Sequence, residues 1–145
     1  MQEPVFEPTT FTPSPKSELT VDARFVASHL GDNAVAIVDA RSDDRFRGEN
    51  ETLDPVAGHI PGALNRFFKL NLQANGRFKP PDVLRSEFGA VLGEHQPSSA
   101  IHQCGSGVTA CHNLLAMEYA GLPGSRLYPG SWSEWVSDRS RPVAR

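Results

Sequence analysis

The chain has 145 residues, of which 39% are hydrophobic and 21% charged, and its formal net charge is −3. This length suits one domain with one core, and a negative balance disfavours nucleic acid or an anionic membrane as a partner, since both require a basic face. No apolar run is long enough to span a bilayer, the N-terminus lacks the layout of a secretion signal, and two cysteines make no disulfide framework. We therefore expect a cytoplasmic protein in a reducing setting.

Residues 1–18 form a proline-rich segment that contains Pro4, Pro8, Pro13 and Pro15 among threonine, serine and glutamate. This composition predicts extended chain rather than a helix or a central strand. The segment is a disordered tail or a linker to a preceding domain, and we favour the linker. Residues 19–145 then form the folded domain.

The first elements of the domain are a helix and a buried strand. Residues 19–30 have helical apolar spacing, and Thr20 followed by an acid two residues later predicts the helix cap. Residues 34–40 are a continuous apolar run, which is typical of a strand buried on both faces of a parallel sheet. This strand delivers Asp39 and Arg41 to its C-terminal end, where open α/β sheets place their ligand crevices.

A polar segment and a turn follow this strand. Residues 41–48 carry three arginines, of which Arg47 is interpreted as a solvated surface charge. Asp39 and Arg41 are expected to orient the strand ends rather than contact substrate. His59 lies between turn glycines, so we interpret it as a structural hydrogen-bonding residue rather than a catalytic base.

Residues 67–92 predict two helical pieces, separated by Asn75-Gly76 and the prolines that follow. Asp82 is the predicted cap of the second piece, whose apolar residues recur at helical spacing. Phe67, Phe68 and Leu70 are interpreted as core residues rather than as part of a ligand site.

Residues 98–103 predict a strand that leads into Cys104, and Gly105 and Gly107 turn the chain directly after it. The polar residues His102 and Gln103 predict a strand end that is partly solvated. If the turn curls around the sulfur, backbone N–H groups and the first turn of the next helix favour a nucleophilic thiolate. His102 is a weak candidate for deprotonating Cys104, because the chain turns sharply between them.

The helix predicted over residues 109–120 turns an apolar stripe inward, made of Ala110, Leu114, Leu115 and Met117. Cys111 lies near this stripe and is interpreted as a buried structural thiol, with a resolving cysteine for Cys104 as the alternative. Glu118 falls near the middle of the stripe, and nothing in the sequence accounts for it. Zinc is not expected, because the His102, Cys104, Cys111 and His112 spacing fits no usual pattern and a helix aims adjacent side chains about 100° apart.

The last predicted elements are a strand at residues 126–128 and a short helix that bears Trp132 and Trp135, both interpreted as packing residues. The alternation of strands and helices predicts a single α/β domain. We expect a parallel sheet of about five strands, flanked by helices on both faces.

Four segments together resemble the rhodanese family of sulfurtransferases. They are the loop Cys-Gly-Ser-Gly-Val-Thr-Ala at 104–110, Val-Asp-Ala-Arg at 38–41 with Arg-Phe at 45–46, Gly-His-Ile-Pro-Gly-Ala-Leu-Asn at 58–65, and Tyr-Pro-Gly-Ser-Trp-Ser-Glu-Trp at 128–135. The loop is similar to the mercaptopyruvate-type loop, and the last segment resembles the catalytic second repeat of tandem-domain members. The resemblance runs from about residue 19 to 141 in the family's order.

The resemblance implies a sulfurtransferase that moves a sulfane sulfur from thiosulfate or 3-mercaptopyruvate through a persulfide on Cys104. It implies that Arg45 binds the donor carboxylate and that the loop holds the negative charge, with Ser106 able to hydrogen-bond the leaving thiolate. The loop residues concerned are Gly105, Ser106, Gly107, Val108 and Thr109. The expected acceptor is cyanide, a thiol or thioredoxin, and no metal or organic cofactor is required. Tandem members place a preceding rhodanese-like domain before the linker, so such a domain is an expected partner.

The sequence departs from the mercaptopyruvate type at one point, since no arginine lies between Arg47 and Arg66 to serve as a second substrate anchor. The choice between thiosulfate and mercaptopyruvate therefore stays open. A cysteine phosphatase of the Cys-x5-Arg type is disfavoured, because position 110 is alanine and the loop is too short. A sulfur carrier or protein-binding module without turnover is the remaining alternative.

Overall fold

A computed structural model describes residues 8–145 of the chain. Its α/β domain has four parallel strands in the order β2-β1-β3-β4. The strands are β1 Ala36–Asp39, β2 Leu64–Asn65, β3 Ala100–Gln103 and β4 Arg126–Leu127. The helices are α1 Ala23–Ser28, α2 Asp43–Phe46, α3 Pro81–Leu92, α4 Val108–Tyr119 and α5 Ser131–Ser137. No helix of residues 8–145 is long and apolar enough to cross a membrane.

The sheet has four strands where about five were predicted. A single parallel bridge from Thr20 to Leu127 extends the sheet beyond β4. This contact is too short to count as a strand, because only one residue of the incoming chain pairs before α1 begins. The predicted parallel sheet between two helical layers is otherwise confirmed.

The central strands β1 and β3 are buried on both faces, as the apolar run in β1 predicted. They pair over four residues, from Ala36 opposite Ala100 to Asp39 opposite Gln103. Alternate residues face opposite layers of helices. One core contains Ile37 and Ile101 with side chains of α1 and α5, and the other contains Ala36, Val38 and Ala100 with side chains of α3 and α4.

Two helices begin differently from prediction. The cap of α1 is Asp22 rather than Thr20, because the Asp22 carboxylate accepts a hydrogen bond from the Phe25 amide at 2.8 Å. Helix α3 begins with Pro81, so the prediction that Asp82 caps it is wrong, and Asp82 lies within the first turn. Proline at the first helical position needs no N–H and already has helical φ.

The prediction that the end of β3 is partly solvated is also wrong. His102 and Gln103 are fully buried, because β3 lies between β1 and β4 and is covered on both faces. None of the described residues forms a hydrogen bond with either side chain. Burial lowers the pKa of His102 from 6.5 to about 4, so its ring is neutral inside the protein.

Two asparagines that were not predicted to lie in the interior are fully buried, near leucines that were. Asn71 donates to the Asn113 amide oxygen at 2.7 Å, and both side chains are fully buried. Leu70 and Leu115, which were predicted to face the core, are instead turned outward, with 50% and 56% of their surface exposed. The buried Arg66 guanidinium donates to Asn71 as well, so a polar network rather than leucine packing joins this part of the chain to α4.

Cys111 is exposed, which contradicts its interpretation as a buried structural thiol. Its sulfur lies 3.4 Å from the Gly107 carbonyl oxygen. Glu118 is exposed as well, and its carboxylate accepts a hydrogen bond from the Gly124 amide at 3.1 Å. This contact ties the end of α4 to the turn that precedes β4. The predicted packing of Trp132 and Trp135 is confirmed, because both side chains are fully buried.

The proline-rich segment is described only in part, because its first seven residues lie outside the described range. Residues 8–16 are exposed and contain no helix or strand, and Ser17–Leu19 form one 3-10 turn. The interpretation of residues 1–18 as a linker stays a prediction.

Candidate active site

Cys104 follows the last residue of β3 directly and lies at the C-terminal edge of the sheet. Its amide donates to the Ser131 hydroxyl at 3.0 Å, and that hydroxyl donates to the Tyr128 carbonyl at 3.0 Å. The carbonyl of Cys104 accepts from the Trp132 amide, and that of Gly105 accepts from the Ser133 amide. The start of α5 therefore holds the carbonyl side of the cysteine loop and leaves the loop amides free.

The loop amides are available to an anion. The N–H groups of Gly105, Ser106 and Gly107 have no hydrogen-bond acceptor among residues 8–145. These donors precede the N-terminus of α4, which carries the positive end of the helix dipole. None of the described amides donates to the Cys104 sulfur itself, which differs from the expectation that the backbone N–H groups of the loop converge on it.

Gly107 is required by the shape of the loop. Its φ is +86°, in the region that favours glycine, and a Cβ there would lie 2.4 Å from the Pro129 carbonyl oxygen. The close approach of the two backbones joins the cysteine loop to the segment that begins α5. Ser131 has φ of +53°, which is uncommon for a residue with a side chain and marks local strain at this junction.

A pocket of about 540 Å³ lies against Cys104. Its lining consists of the cysteine loop, the segment after β1, the loop before β2, the turn after β2 and the first turn of α5. The lining residues are Arg41, Ser42, Arg45, Leu53, Asp54, Phe67, Phe68, Lys69, Cys104, Gly105, Ser106, Val108, Thr109 and Ser133. The Cys104 side chain is 2% exposed and packs against Ala40 and Ala110, so it is a recessed thiol at the base of this pocket.

The fold explains why these segments meet. The chain leaves β1 toward β2 on one side of the sheet and returns to β3 on the other side. Open α/β sheets bind ligands at such a switch point, outside the carboxyl ends of the strands. Cys104 follows β3, and Arg41 and Arg45 follow β1, so both halves of the candidate site are at this position.

Arg45 lines the pocket, but it also pairs with a carboxylate of the protein. Its Nη2 lies 2.9 Å from Glu51 Oε1, and its Nε lies 3.3 Å from Glu51 Oε2. The Arg45 Nη1 group has no hydrogen-bond acceptor in the described part of the chain. The terminal edge of Arg45 lies near the cysteine loop, since Nη2 is 3.7 Å from the position that a Cβ on Gly105 would occupy.

Arg41 is held as a structural group, as the sequence predicted. Its guanidinium donates to both oxygens of Asp39 and to the Gly58 carbonyl, and it stacks over the Trp132 ring at 4.7 Å. The side chain of Arg41 is almost fully buried. A buried guanidinium with this many partners keeps the end of β1 in place against α5.

The pocket contains residues that the sequence analysis did not assign to a site. Lys69 supplies an exposed cation, and Ser133 donates a hydrogen bond to the Asp54 carboxylate at 2.6 Å. Phe67 and Phe68 line the pocket, although they were interpreted as core residues. Phe68 also packs against the buried cluster of Ala40, Cys104 and Ala110, so its core interpretation is confirmed in part. The motif segment at 128–135 contained Ser133, but no local pattern in the sequence pointed to Lys69.

Other candidate side chains lie away from the pocket. His59 Nδ1 is 2.7 Å from the Phe46 carbonyl oxygen, and its ring stacks on Phe46, which fits a structural residue. His102 is buried beneath the loop, and Cys111 is not among the pocket residues. Gly107 is buried and shapes the loop without lining the pocket.

The chain is similar to known proteins over most of its length. The family model for the rhodanese-like domain matches residues 22–138. The chain is 49% identical over 142 residues to a probable 3-mercaptopyruvate sulfurtransferase of Pseudomonas aeruginosa, which covers 98% of this chain and 50% of that protein. It is 35% identical over 143 residues to thiosulfate sulfurtransferase of Rattus norvegicus, which covers 96% of this chain and 47% of that protein.

The fold is similar to that of the Tum1 protein from Saccharomyces cerevisiae, with a TM-score of 0.73 at 30% identity. That match covers 88% of this chain and 47% of the yeast chain. The chain thus spans about half the length of the relatives that it matches. From the match over residues 22–138 and these likenesses, we conclude that the chain belongs to the rhodanese family.

Proposed function

We propose that the chain is the catalytic part of a sulfurtransferase that carries sulfur as a persulfide on Cys104. The observation that carries the proposal is a recessed thiol at the base of a pocket whose loop amides are unpaired. The outer sulfur of a persulfide extends beyond the cysteine sulfur, toward the N–H groups of Gly105, Ser106 and Gly107. Those groups stabilise negative charge on it without any lysine or arginine in the loop.

The first step forms the persulfide. The Cys104 thiolate attacks the outer sulfur of thiosulfate, the S–S bond breaks, and sulfite leaves with the electron pair. With 3-mercaptopyruvate, the thiolate attacks the thiol sulfur, the C–S bond breaks, and the pyruvate enolate takes up a proton. The guanidinium of Arg45 and the ammonium of Lys69 attract either anionic donor to the pocket.

The second step regenerates the thiolate. An acceptor such as cyanide, a small thiol or a thioredoxin-like protein attacks the outer sulfur and leaves with it, and the electron pair of the broken S–S bond returns to Cys104. Two successive transfers through one covalent intermediate produce ping-pong kinetics. Ser106 and Thr109 line the pocket, and their hydroxyl groups are able to donate hydrogen bonds to the departing anion.

A second rhodanese-like domain is the partner that we propose for the rim of the pocket. Leu53 and Val108 line the pocket with 78% and 73% of their surface exposed. The relatives named above are about twice as long as this chain. A neighbouring domain would cover these side chains and exclude water from the persulfide.

The test is cyanolysis by the chain with thiosulfate and with 3-mercaptopyruvate in parallel assays. We expect turnover with at least one donor, parallel lines in a ping-pong analysis, and complete loss of activity in Cys104→Ser. Cys111→Ser is the matched control, because it removes an exposed thiol only seven residues away and leaves activity unchanged. Turnover that survives Cys104→Ser would contradict the mechanism, and persulfide formation without turnover would identify a sulfur carrier instead.

A further inference from the structure

Glu51 is a buried carboxylate in the loop that covers one side of the pocket. Its side chain is 3% exposed, and it accepts hydrogen bonds from Arg45 and from the amides of Leu53 and Asp54. The Arg41 guanidinium lies 3.4 Å away on the other side. Burial raises the pKa of Glu51, but the bonds from Arg45 and the two amides outweigh burial and lower it, so the group is ionised at neutral pH.

This carboxylate occupies the part of Arg45 that would otherwise grip a ligand. The Nε and Nη2 donors of Arg45 form the side that fits a carboxylate with two parallel hydrogen bonds, and Glu51 occupies it. Asp54 adds a second carboxylate, 3.7 Å from the same Nη2. A sulfur donor in the pocket therefore meets the terminal edge of Arg45, whose other side is occupied by the Glu51 carboxylate. The Asp54 carboxylate also lines the pocket beside Arg45.

The charges around the pocket are balanced. Three cations line it, Arg41, Arg45 and Lys69. Asp39 pairs with Arg41, and Glu51 and Asp54 contact Arg45. The three carboxylates therefore weaken the attraction that the three cations exert on each negative charge of a ligand.

We propose that Glu51, together with Asp54, neutralises Arg45 and so makes the pocket prefer a sulfur donor with one negative charge over a donor with two. In this role Glu51 is a positioning residue, because it acts on the donor through Arg45. The proposal rests on the proposed function for the identity of the donors, 3-mercaptopyruvate with one charge and thiosulfate with two. It assigns donor selectivity to the loop before β2, where the sequence lacks a second arginine anchor.

The experiment removes one charge at a time and measures selectivity. In Glu51→Gln we expect the ratio of kcat/KM for thiosulfate to kcat/KM for 3-mercaptopyruvate to rise about tenfold, as expected when one nearby negative charge is removed. Asp54→Asn should shift the ratio in the same direction by a smaller factor, and it tests the idea even if Glu51→Gln fails to fold. Glu49→Gln is the matched control, because Glu49 lies in the same loop but pairs with exposed Arg47. In this variant the ratio of the two kcat/KM values should stay at the wild-type value.

A second readout does not depend on sulfur transfer. Iodoacetate carries one negative charge and iodoacetamide carries none. The rate of Cys104 alkylation by iodoacetate divided by the rate by iodoacetamide therefore reports the electrostatic field in the pocket. Fragment-ion mass spectrometry distinguishes Cys104 from the exposed Cys111, which lies on the same tryptic peptide because no lysine or arginine separates them. We expect this ratio also to rise about tenfold in Glu51→Gln and to remain unchanged in Glu49→Gln.

These outcomes separate the two proposals. A loss of activity with both donors by the same factor, with an unchanged alkylation ratio, would mean that Glu51 only supports the loop, and the inference would be overturned. An equal shift in Glu49→Gln would overturn it as well. A wild-type chain without turnover would refute the proposed function, and an alkylation ratio that still rises in Glu51→Gln would leave the role of Glu51 standing.

Discussion

Replacement of Gly107 by alanine tests whether the cysteine loop needs its close approach to Pro129. The new Cβ would meet the Pro129 carbonyl oxygen at 2.4 Å, and the φ of +86° would remain unfavourable for any residue with a side chain. The backbone strain costs about 1–2 kcal/mol. The contact with a carbonyl that cannot rotate away adds about 1–3 kcal/mol, as overpacking does in cores.

Gly76→Ala is the matched control for this substitution. Gly76 has nearly the same φ, +78°, but nothing lies within 4 Å of its Cβ position. The control should therefore lose only the strain energy, about 1–2 kcal/mol. Unfolding in urea, followed by circular dichroism, measures the difference between the two variants directly.

The two variants should differ in activity as well. Relief of the clash moves the loop away from Pro129, so we expect kcat/KM for cyanolysis in Gly107→Ala to fall by about tenfold or more where the protein is still folded. Gly76→Ala should keep wild-type kcat/KM, because the turn that contains it does not line the pocket. Equal unfolding free energies and equal activities for the two variants would refute the reasoning.

Three further predictions concern charge, pH and the core. Arg45→Ala leaves the Glu51 and Asp54 carboxylates uncompensated beside the pocket, so it should raise KM for an anionic donor about tenfold or more in steady-state cyanolysis. Arg47→Ala, at an exposed pair, should change KM less than twofold. Burial lowers the pKa of His102 to about 4, so the unfolded chain binds a proton that the folded chain does not. Stability should fall by about 3 kcal/mol from pH 6.5 to 4 in urea unfolding, and His102→Leu should remove that part of the slope. Phe88→Ala in the core should lower the free energy of unfolding by about 3–5 kcal/mol. Val83 is more exposed on the same helix, so Val83→Ala should lower it by less than about 1 kcal/mol. Equal losses in the two variants would contradict this packing.

The elements that the sequence predicted well are set by local patterns. The apolar run before Asp39 predicted a strand buried on both faces, and β1 is such a strand. The glycines after Cys104 predicted a turn between a strand and a helix, and Gly107 has the left-handed φ that such a turn needs. These features depend on a few neighbouring residues, so the local sequence is enough to predict them.

The features that the sequence did not predict depend on contacts between distant segments. Asn71 and Asn113 are 42 residues apart and form a buried hydrogen bond, whereas Leu70 and Leu115 face solvent. Helical periodicity alone ranks a leucine as the better core residue. An asparagine is stable in the core only when its amide has a hydrogen-bond partner, and here that partner comes from a distant segment of the chain.

The same limit applies to the candidate site. The motifs identified Cys104 and Arg45, and both line one pocket. The pairing of Arg45 with Glu51 was not predicted, because a carboxylate in a polar loop gives no signal of burial in a sequence. Lys69 was missed for the same reason, since its place in the pocket depends on how the turn after β2 folds toward the cysteine loop.

The most direct test of the persulfide on Cys104 is mass spectrometry of the chain after exposure to thiosulfate or 3-mercaptopyruvate. We predict a gain of one sulfur atom per chain, assigned to Cys104 by fragment ions, lost on addition of cyanide and absent from Cys104→Ser. A chain that gains no sulfur, or that gains it on Cys111 alone, would contradict the account.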